Sequence, residues 1–188
     1  MQPRVPSQPQ CSSGVMYTLG SMANRTGIVL LALLLVGASA QAQWKKVPLQ
    51  KPTVLNPNLY RADANPVREI QQAVASAERQ HKRILLVFGA SWCSDCYILD
   101  RGFHQPRIQP LLRDNFLVVH VNVGQYDKNL DLAKKYHIDL KKGIPSIAVL
   151  SSSGKFLSST TEFEKAHLRT EEDVIDFLNA WKPGGTRG

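Results

Sequence analysis

The sequence predicts an α/β fold in which a four-stranded mixed sheet carries helices on both faces. Two observations predict it. Apolar runs of strand length alternate with segments whose apolar residues recur at helical spacing, in the order αβαβαββα. The central run, residues 84–88, is rich in β-forming residues, and small residues and two closely spaced cysteines follow it directly.

The first helix should begin at Asn65-Pro66 and run to about Gln80. A capping side chain followed by proline at the first helical position is typical of helix N-termini. Its apolar stripe recurs at near-helical spacing and should face the sheet. The stripe consists of Val67, Ile70, Ala73, Val74 and Ala77.

Beyond the cysteines we expect a helix, a second helical piece over residues 106–113, and an apolar strand over 116–123 that lies centrally in the sheet. His120 in that strand is predicted to be a hydrogen-bonded core or sheet-face histidine and not a ligand. A polar helix over 127–136 comes next. Its inward residues should be Leu130, Leu132 and Ala133.

The C-terminal part predicts a hairpin and a last helix. Strands over 147–150 and 155–160 flank the turn-forming segment 151–154. Thr170 and Asp173 are spaced as a helix cap. Five apolar residues of the last helix should face the core: Val174, Ile175, Phe177, Leu178 and Trp181.

The chemistry of the chain is expected at Cys93 and Cys96. Cys93 lies at the predicted helix start, where unpaired amides and the helix dipole favour a thiolate. Cys96 shares its helix face and can close a disulfide, so the pair can carry out thiol–disulfide exchange. Two alternatives remain. A zinc site would need two distant histidines, since Cys11 is the only other cysteine, and the pair could also be an inert disulfide.

Two motifs resemble the signatures of the thioredoxin superfamily. They are Ser-Trp-Cys-Ser-Asp-Cys at 91–96 and Gly-Ile-Pro-Ser at 143–146, and the resemblance spans roughly residues 60–182. It is nearest to the secreted thioredoxin-like proteins of bacteria. The resemblance implies a thioredoxin fold, with Cys93 as the nucleophile and Cys96 as the resolving cysteine.

The same resemblance implies further site residues. Trp92 would shield the site and offer a flat contact to substrate, and Ile144 and Pro145 would dock it. Pro145 should follow a cis peptide bond and leave the preceding backbone free to pair with an extended substrate. Ser94 and Asp95, between the cysteines, would modulate the pair.

One position departs from the family pattern. Thioredoxins usually bury an acidic residue where this chain has Val87. In the family, this acid shuttles the proton of the resolving cysteine. Asp95, Asp100 or a water molecule would then have to carry that proton here. The charge of Asp95 should oppose a thiolate at Cys93, which favours a reductase or isomerase over a strong oxidase.

The chain divides into a predicted signal peptide over 1–42, an extended arm over 43–62, a thioredoxin-like domain over 63–183 and a tail over 184–188. The first segment has two basic residues, no acidic ones, a short apolar core and an alanine-rich cleavage site. Met22 could be its true start. The sequence therefore predicts a periplasmic or secreted protein. In the arm, Trp44 and Tyr60 could dock on the core or be exposed.

The composition and the cysteine chemistry indicate which classes of partner the protein has. The formal net charge is +8, but the basic residues are scattered and do not form the dense patch that nucleic acid binding needs. Exchange between sulfurs requires no organic cofactor and no metal. The expected partners are protein thiols and disulfides, together with a membrane redox partner that recycles the pair. Two other functions remain open: a copper metallochaperone and a binding module with a purely structural disulfide.

Overall fold

Strand β1, Arg83–Gly89, is a central strand of the sheet in the computed structural model, which describes residues 46–187. It pairs in parallel with β2, Phe116–Asn122, and antiparallel with β3, Ser146–Leu150. A tight turn then leads to β4, Phe156–Thr160, which is antiparallel to β3. The strand order is β2-β1-β3-β4. The predicted four-stranded mixed sheet is confirmed.

Strand β2 lies at an edge of the sheet, so the prediction that it is central is wrong. Its apolar sequence has a different cause, which is that both of its faces are covered. Val119 and Val121 pack in one core layer, and Phe116 packs in the layer on the opposite face. An apolar run reports the burial of a strand's faces and not the number of strands hydrogen-bonded to it.

Helices cover both faces of the sheet, as the sequence predicts. Helix α1, Pro66–Gln80, and the short α4, Leu130–Lys135, contribute to one layer. Helices α3, Gln109–Asn115, and α5, Glu171–Trp181, pack against the other face. Helix α2, Ser94–Phe103, starts at the end of β1 and sends most of its apolar residues into this second layer.

Helix α1 has the predicted start. The Asn65 side chain accepts a hydrogen bond from the Arg68 amide and so caps the helix. The inward face is Pro66, Ile70, Ala73 and Ala77, all buried. Val67 is 48% exposed, contrary to the prediction, because Pro66 takes the inward position in the first turn.

Helices α3 and α4 begin later than the sequence predicts. The chain around residue 106 forms a turn, and α3 begins with Pro110 in its first turn, where a missing amide hydrogen costs nothing. Tyr126 and Asn129 have φ values of 65° and 53°, which an α-helix does not accept, so α4 is confined to six residues. Leu130, predicted to face inward, is 48% exposed.

The C-terminal elements agree with the prediction. Gly154, with a φ of 79°, closes the turn between β3 and β4. Thr170 and Asp173 form a reciprocal capping box at the start of α5. Val174, Phe177 and Leu178 are buried against the sheet. Ile175 and Trp181 are only partly buried.

The described part of the N-terminal arm is tied to the domain at both ends. Pro48 forms an isolated antiparallel bridge with Thr170. Leu49 is buried, and its amide donates to the Arg169 carbonyl over 2.8 Å. Tyr60 is 3% exposed. Trp44 lies outside the described residues.

The predicted signal peptide, its Met22 start and its cleavage site also lie outside the described residues. Among residues 46–187, no helix combines the length and the apolar character needed to cross a membrane.

We expect Leu49→Ala to lower the free energy of unfolding by about 2–5 kcal/mol, since it leaves a cavity over Gly102. Val54→Ala is the matched control, because Val54 belongs to the same arm and is 82% exposed. The control should change stability by less than about 0.5 kcal/mol. Urea unfolding measures both variants. Equal effects would show that the arm is not part of the folded core.

Candidate active site

Cys93 and Cys96 are joined by a disulfide at the junction of β1 and α2, with their Cα atoms 5.4 Å apart. The chain turns after β1, where the Cys93 amide donates to the Ala90 carbonyl. Cys93 is the residue that caps α2, and its Sγ accepts a hydrogen bond of 3.1 Å from the Cys96 amide. A sulfur in this position is stabilised as a thiolate by the free amides of the helix.

The two sulfurs differ in access. Cys93 is 5% exposed and Cys96 is fully buried. Cys93 therefore combines the partial exposure and the helix N-terminal position that an attacking thiolate requires. Because Cys96 is buried, the sulfur with which it can react is that of Cys93.

The second predicted motif lies against the first. The Ile144 carbonyl oxygen is 3.6 Å from Cys93 Sγ, and the Ile144–Pro145 peptide bond is cis. Ser146 Oγ donates to the Gly143 carbonyl over 2.7 Å, which fixes the turn before the proline. Ile144 and Pro145 are both buried. The polar contact that this loop makes with Cys93 is through the Ile144 backbone carbonyl.

Trp92 is 47% exposed beside the disulfide. Its Nε1 donates to the Gly124 carbonyl over 2.8 Å, and its ring packs edge-on against Tyr126 at 5.6 Å. Tyr126 is itself 41% exposed and was missed by sequence reasoning. A single tyrosine in a loop gives no periodic signal, so only the fold could reveal this contact.

Asp95 is paired with His167, whereas from the sequence its charge was expected to act on Cys93 without a partner. One carboxylate oxygen, Oδ1, accepts a hydrogen bond of 2.8 Å from the His167 backbone amide and lies 2.7 Å from His167 Nδ1. These two hydrogen bonds weaken the influence of the Asp95 charge on Cys93. Sequence reasoning missed His167, since it is far away in the chain and carries no motif. Ser94, the other intervening residue, is exposed.

Val87 is buried in an apolar layer, as its residue type suggests, and supplies no polar atom. The titratable groups near the cysteines lie elsewhere. Asp100 follows Cys96 by one helical turn, and its Oδ1 is 3.7 Å from His120 Nε2 on β2. Burial raises the pKa of the Asp100 carboxyl, and His104 partly offsets this effect. Of the acids that the sequence suggested, Asp100 is thus the one held on the Cys96 side of the helix.

His120 differs from its prediction in one respect. Its Nε2 is buried and forms no hydrogen bond with any residue of the described chain. The nearby Asp100 carboxylate would raise the pKa of His120, but burial outweighs it and, with a smaller contribution from His104, lowers the pKa to about 4. His120 is therefore neutral at pH 7. Within residues 46–187, no group of three or more histidine, cysteine or acidic side chains could hold a metal ion.

Comparison with known proteins identifies similar proteins by family and by structure. Residues 65–152 match a family model described as thioredoxin-like. The chain is 35% identical to the disulphide isomerase from Xylella fastidiosa Temecula1, with a TM-score of 0.62, over 66% of this chain and 96% of that one. No curated protein is significantly similar in sequence.

Two further solved structures match more weakly. A thioredoxin from Thermus thermophilus is 19% identical with a TM-score of 0.45, over 57% of this chain and 79% of that one. The oxidised C-terminal domain of Neisseria meningitidis DsbD is 18% identical with a TM-score of 0.46, over 61% of this chain and 94% of that one. Similarity this low does not bear on function.

We expect the free energy of unfolding to fall as the pH drops from about 6.5 towards 4. The depressed pKa of His120 means that the unfolded chain binds the proton first, so the stabilising contribution is complete above pH 6.5 and is lost towards pH 4. The contribution is at most about 3 kcal/mol. Asp100, with its raised pKa, works in the opposite direction and reduces the net change.

Urea unfolding at about pH 7.5 and about pH 5 measures this dependence. His120→Gln should flatten it. His81→Asn is the control, because His81 is exposed and asparagine tolerates its left-handed backbone conformation. An unchanged pH dependence in His120→Gln would refute the assignment.

Proposed function

We propose that this chain, which belongs to the thioredoxin superfamily, is an exported enzyme that exchanges disulfides with protein substrates. The single observation that carries the activity is the position of Cys93. It caps α2 with its sulfur, accepts the Cys96 amide and is bonded to Cys96. A thiol–disulfide oxidoreductase needs these two sulfurs and no cofactor, since electrons move only between sulfur atoms.

In the reducing direction, the Cys93 thiolate attacks one sulfur of a substrate disulfide. The substrate S–S bond breaks, and its electron pair leaves on the other substrate sulfur. Cys96, as a thiolate, then attacks Cys93 Sγ and closes the disulfide described above. The substrate sulfur that was bonded to Cys93 leaves as a thiolate, so two electrons have passed from the enzyme to the substrate.

The surface around Cys93 supports a protein substrate. Tyr126, Leu130 and Gly143 line one open groove. Trp92 extends it through its contact with Tyr126. These aromatic and aliphatic side chains are between two fifths and one half exposed, which favours contact with another chain over a small polar thiol. Because Ile144 and Pro145 are buried, we propose that their loop docks the substrate through its backbone, as the resemblance implies.

The direction of electron flow depends on how strongly the Cys93 thiolate is stabilised. The α2 amides favour it, and Asp95 opposes it. Pairing with His167 weakens this opposition without removing it, since a carboxylate remains two residues after Cys93 and directly before Cys96. We therefore propose a reductase or isomerase, with a reduction potential nearer the roughly −270 mV of thioredoxin than the roughly −120 mV of the strong periplasmic oxidant.

Export and recycling rest on the sequence. The alanine-rich site after a short apolar segment supports cleavage after residue 40 or 42 and a periplasmic or secreted location. Outside the cytoplasm, a membrane redox partner would have to replace the electrons that a reductase transfers to its substrates.

Nothing among residues 46–187 favours a copper-binding role for the cysteine pair, because no group of three or more possible ligand side chains is found there.

Expression of Cys96→Ser in the native host should accumulate mixed disulfides through Cys93, because nothing then resolves them. Cys93→Ser should accumulate far fewer, since buried Cys96 cannot reach a substrate. Non-reducing gels and mass spectrometry detect the adducts, and N-terminal sequencing of the trapped chain should begin near Gln41 or Gln43. Equal trapping by both variants, or by neither, would overturn the proposal. Retention of the leucine-rich segment would overturn export alone.

Equilibration with glutathione buffers, followed by Trp92 fluorescence, gives the potential. Asp95→Asn should raise it by roughly 10–30 mV, since about 30 mV corresponds to a tenfold change in equilibrium for a two-electron couple. His167→Ala should lower it, because Asp95 loses its partner. The double variant should resemble Asp95→Asn, as His167 acts through Asp95. If the reduction potential is the same as wild type in both single variants, Asp95 does not control it.

A further inference from the structure

Cys96 presents an electrostatic problem that the cysteine motif does not solve. Each cycle of exchange requires a thiolate at Cys96, yet Cys96 is fully buried. Burial alone disfavours a thiolate strongly unless a neighbouring group donates a hydrogen bond to it. The Cys96 amide is already directed at Cys93 Sγ. Val87 in the strand beneath offers no polar atom.

The Tyr60 phenol lies at the required place. A Cβ at Gly89 would overlap the tip of the Tyr60 side chain and would lie 2.9 Å from Cys96 Sγ. The phenol oxygen and the Cys96 sulfur therefore adjoin the same point of β1, and glycine at this position is what makes room for both.

The arm and strand β2 hold Tyr60 in this position. The Asn122 side chain donates to the Tyr60 carbonyl over 3.2 Å. The Tyr60 ring packs edge-on against the His120 ring, with a centroid distance of 5.4 Å. The tyrosine is thus fixed from its backbone to its ring.

The Tyr60 hydroxyl is the unexplained feature of this site. It is buried and has no hydrogen-bond partner anywhere in the described chain. Buried hydroxyls are normally paired, because an unpaired one costs free energy. In the disulfide form the adjacent Cys96 sulfur is only a weak acceptor. Once the disulfide opens, a strong acceptor forms next to the hydroxyl.

We propose that the Tyr60 hydroxyl is the hydrogen-bond donor that stabilises the Cys96 thiolate during exchange. This inference rests on the proposed function. When a substrate thiolate attacks Cys93 Sγ, a new S–S bond forms there and the Cys93–Cys96 bond breaks. Its electron pair leaves on Cys96 Sγ, which accepts the Tyr60 O–H. The phenol keeps its proton throughout, and the same hydrogen bond lowers the pKa of Cys96 before the reverse attack.

The surrounding charges are consistent with a donor that stays protonated. Burial raises the pKa of the Tyr60 phenol, with smaller contributions from Asp100 and Tyr97. The Asp100 carboxyl, one turn beyond Cys96, opposes a thiolate when ionised. His120, on β2, is neutral at pH 7, and the exposed His104 lies beyond Asp100. None of these groups places a positive charge beside Cys96, since His104 lies on the far side of Asp100, so the phenol is the available stabilising group.

The direct test is the pKa of Cys96, measured by ultraviolet absorbance of the thiolate in Cys93→Ser. Adding Tyr60→Phe removes only the hydroxyl and should raise this pKa by about one unit, the effect of one hydrogen bond to a charged group. Tyr136→Phe is the matched control, since Tyr136 is also buried in the same core layer, at the end of another helix. It should leave the pKa unchanged.

The kinetic test uses oxidised glutathione and the reduced protein in a single turnover. Tyr60→Phe should leave attack by Cys93 unchanged and slow the resolution of the Cys93–glutathione disulfide roughly tenfold below the pKa of Cys96. A purely structural role would slow both steps or neither.

The outcomes separate the two proposals. If the wild-type protein does not react with oxidised glutathione, the proposed function fails. If it reacts and Tyr60→Phe keeps both the Cys96 pKa and the resolution rate, only the role of Tyr60 fails. A structure of the reduced wild-type protein tests the contact without any variant, since Tyr60 Oη must then lie within hydrogen-bond distance of Cys96 Sγ. A longer separation would overturn the inference.

Discussion

The hydrogen bond from the Cys96 amide to the Cys93 sulfur depends on where β1 ends and α2 begins. Strand β1 is buried on both faces, so its position in the sheet is fixed by packing. The turn after it leaves the first amides of α2 without backbone partners, and Cys93 is the residue that meets them. The disulfide and the loop with Ile144 are both arranged around this one junction.

The site balances opposing electrostatic effects on two sulfurs. At Cys93 the helix amides favour a thiolate, and Asp95 opposes it with a charge that His167 partly compensates. At Cys96 burial dominates, and the adjacent phenol of Tyr60 is uncharged. The two sulfurs of one disulfide therefore lie in different electrostatic environments.

The N-terminal arm takes part in both stability and chemistry. Leu49 closes the core over Gly102, while Tyr60 reaches the space beside Gly89. A segment rich in proline and poor in periodicity can still be ordered when single side chains fill defined gaps in the domain.

The sequence by itself determined the sheet, most of the helices and the cysteine chemistry, because these depend on local periodicity, capping and a short motif. It failed at Val67, at Leu130 and at the position of β2, where the outcome depends on which neighbour covers a face. The pairing of Asp95 with His167 and the approach of Tyr60 to Cys96 were decided only by the tertiary structure. These residues are far apart in the chain, and packing of the helices and the arm on the sheet brings them together without any local signal.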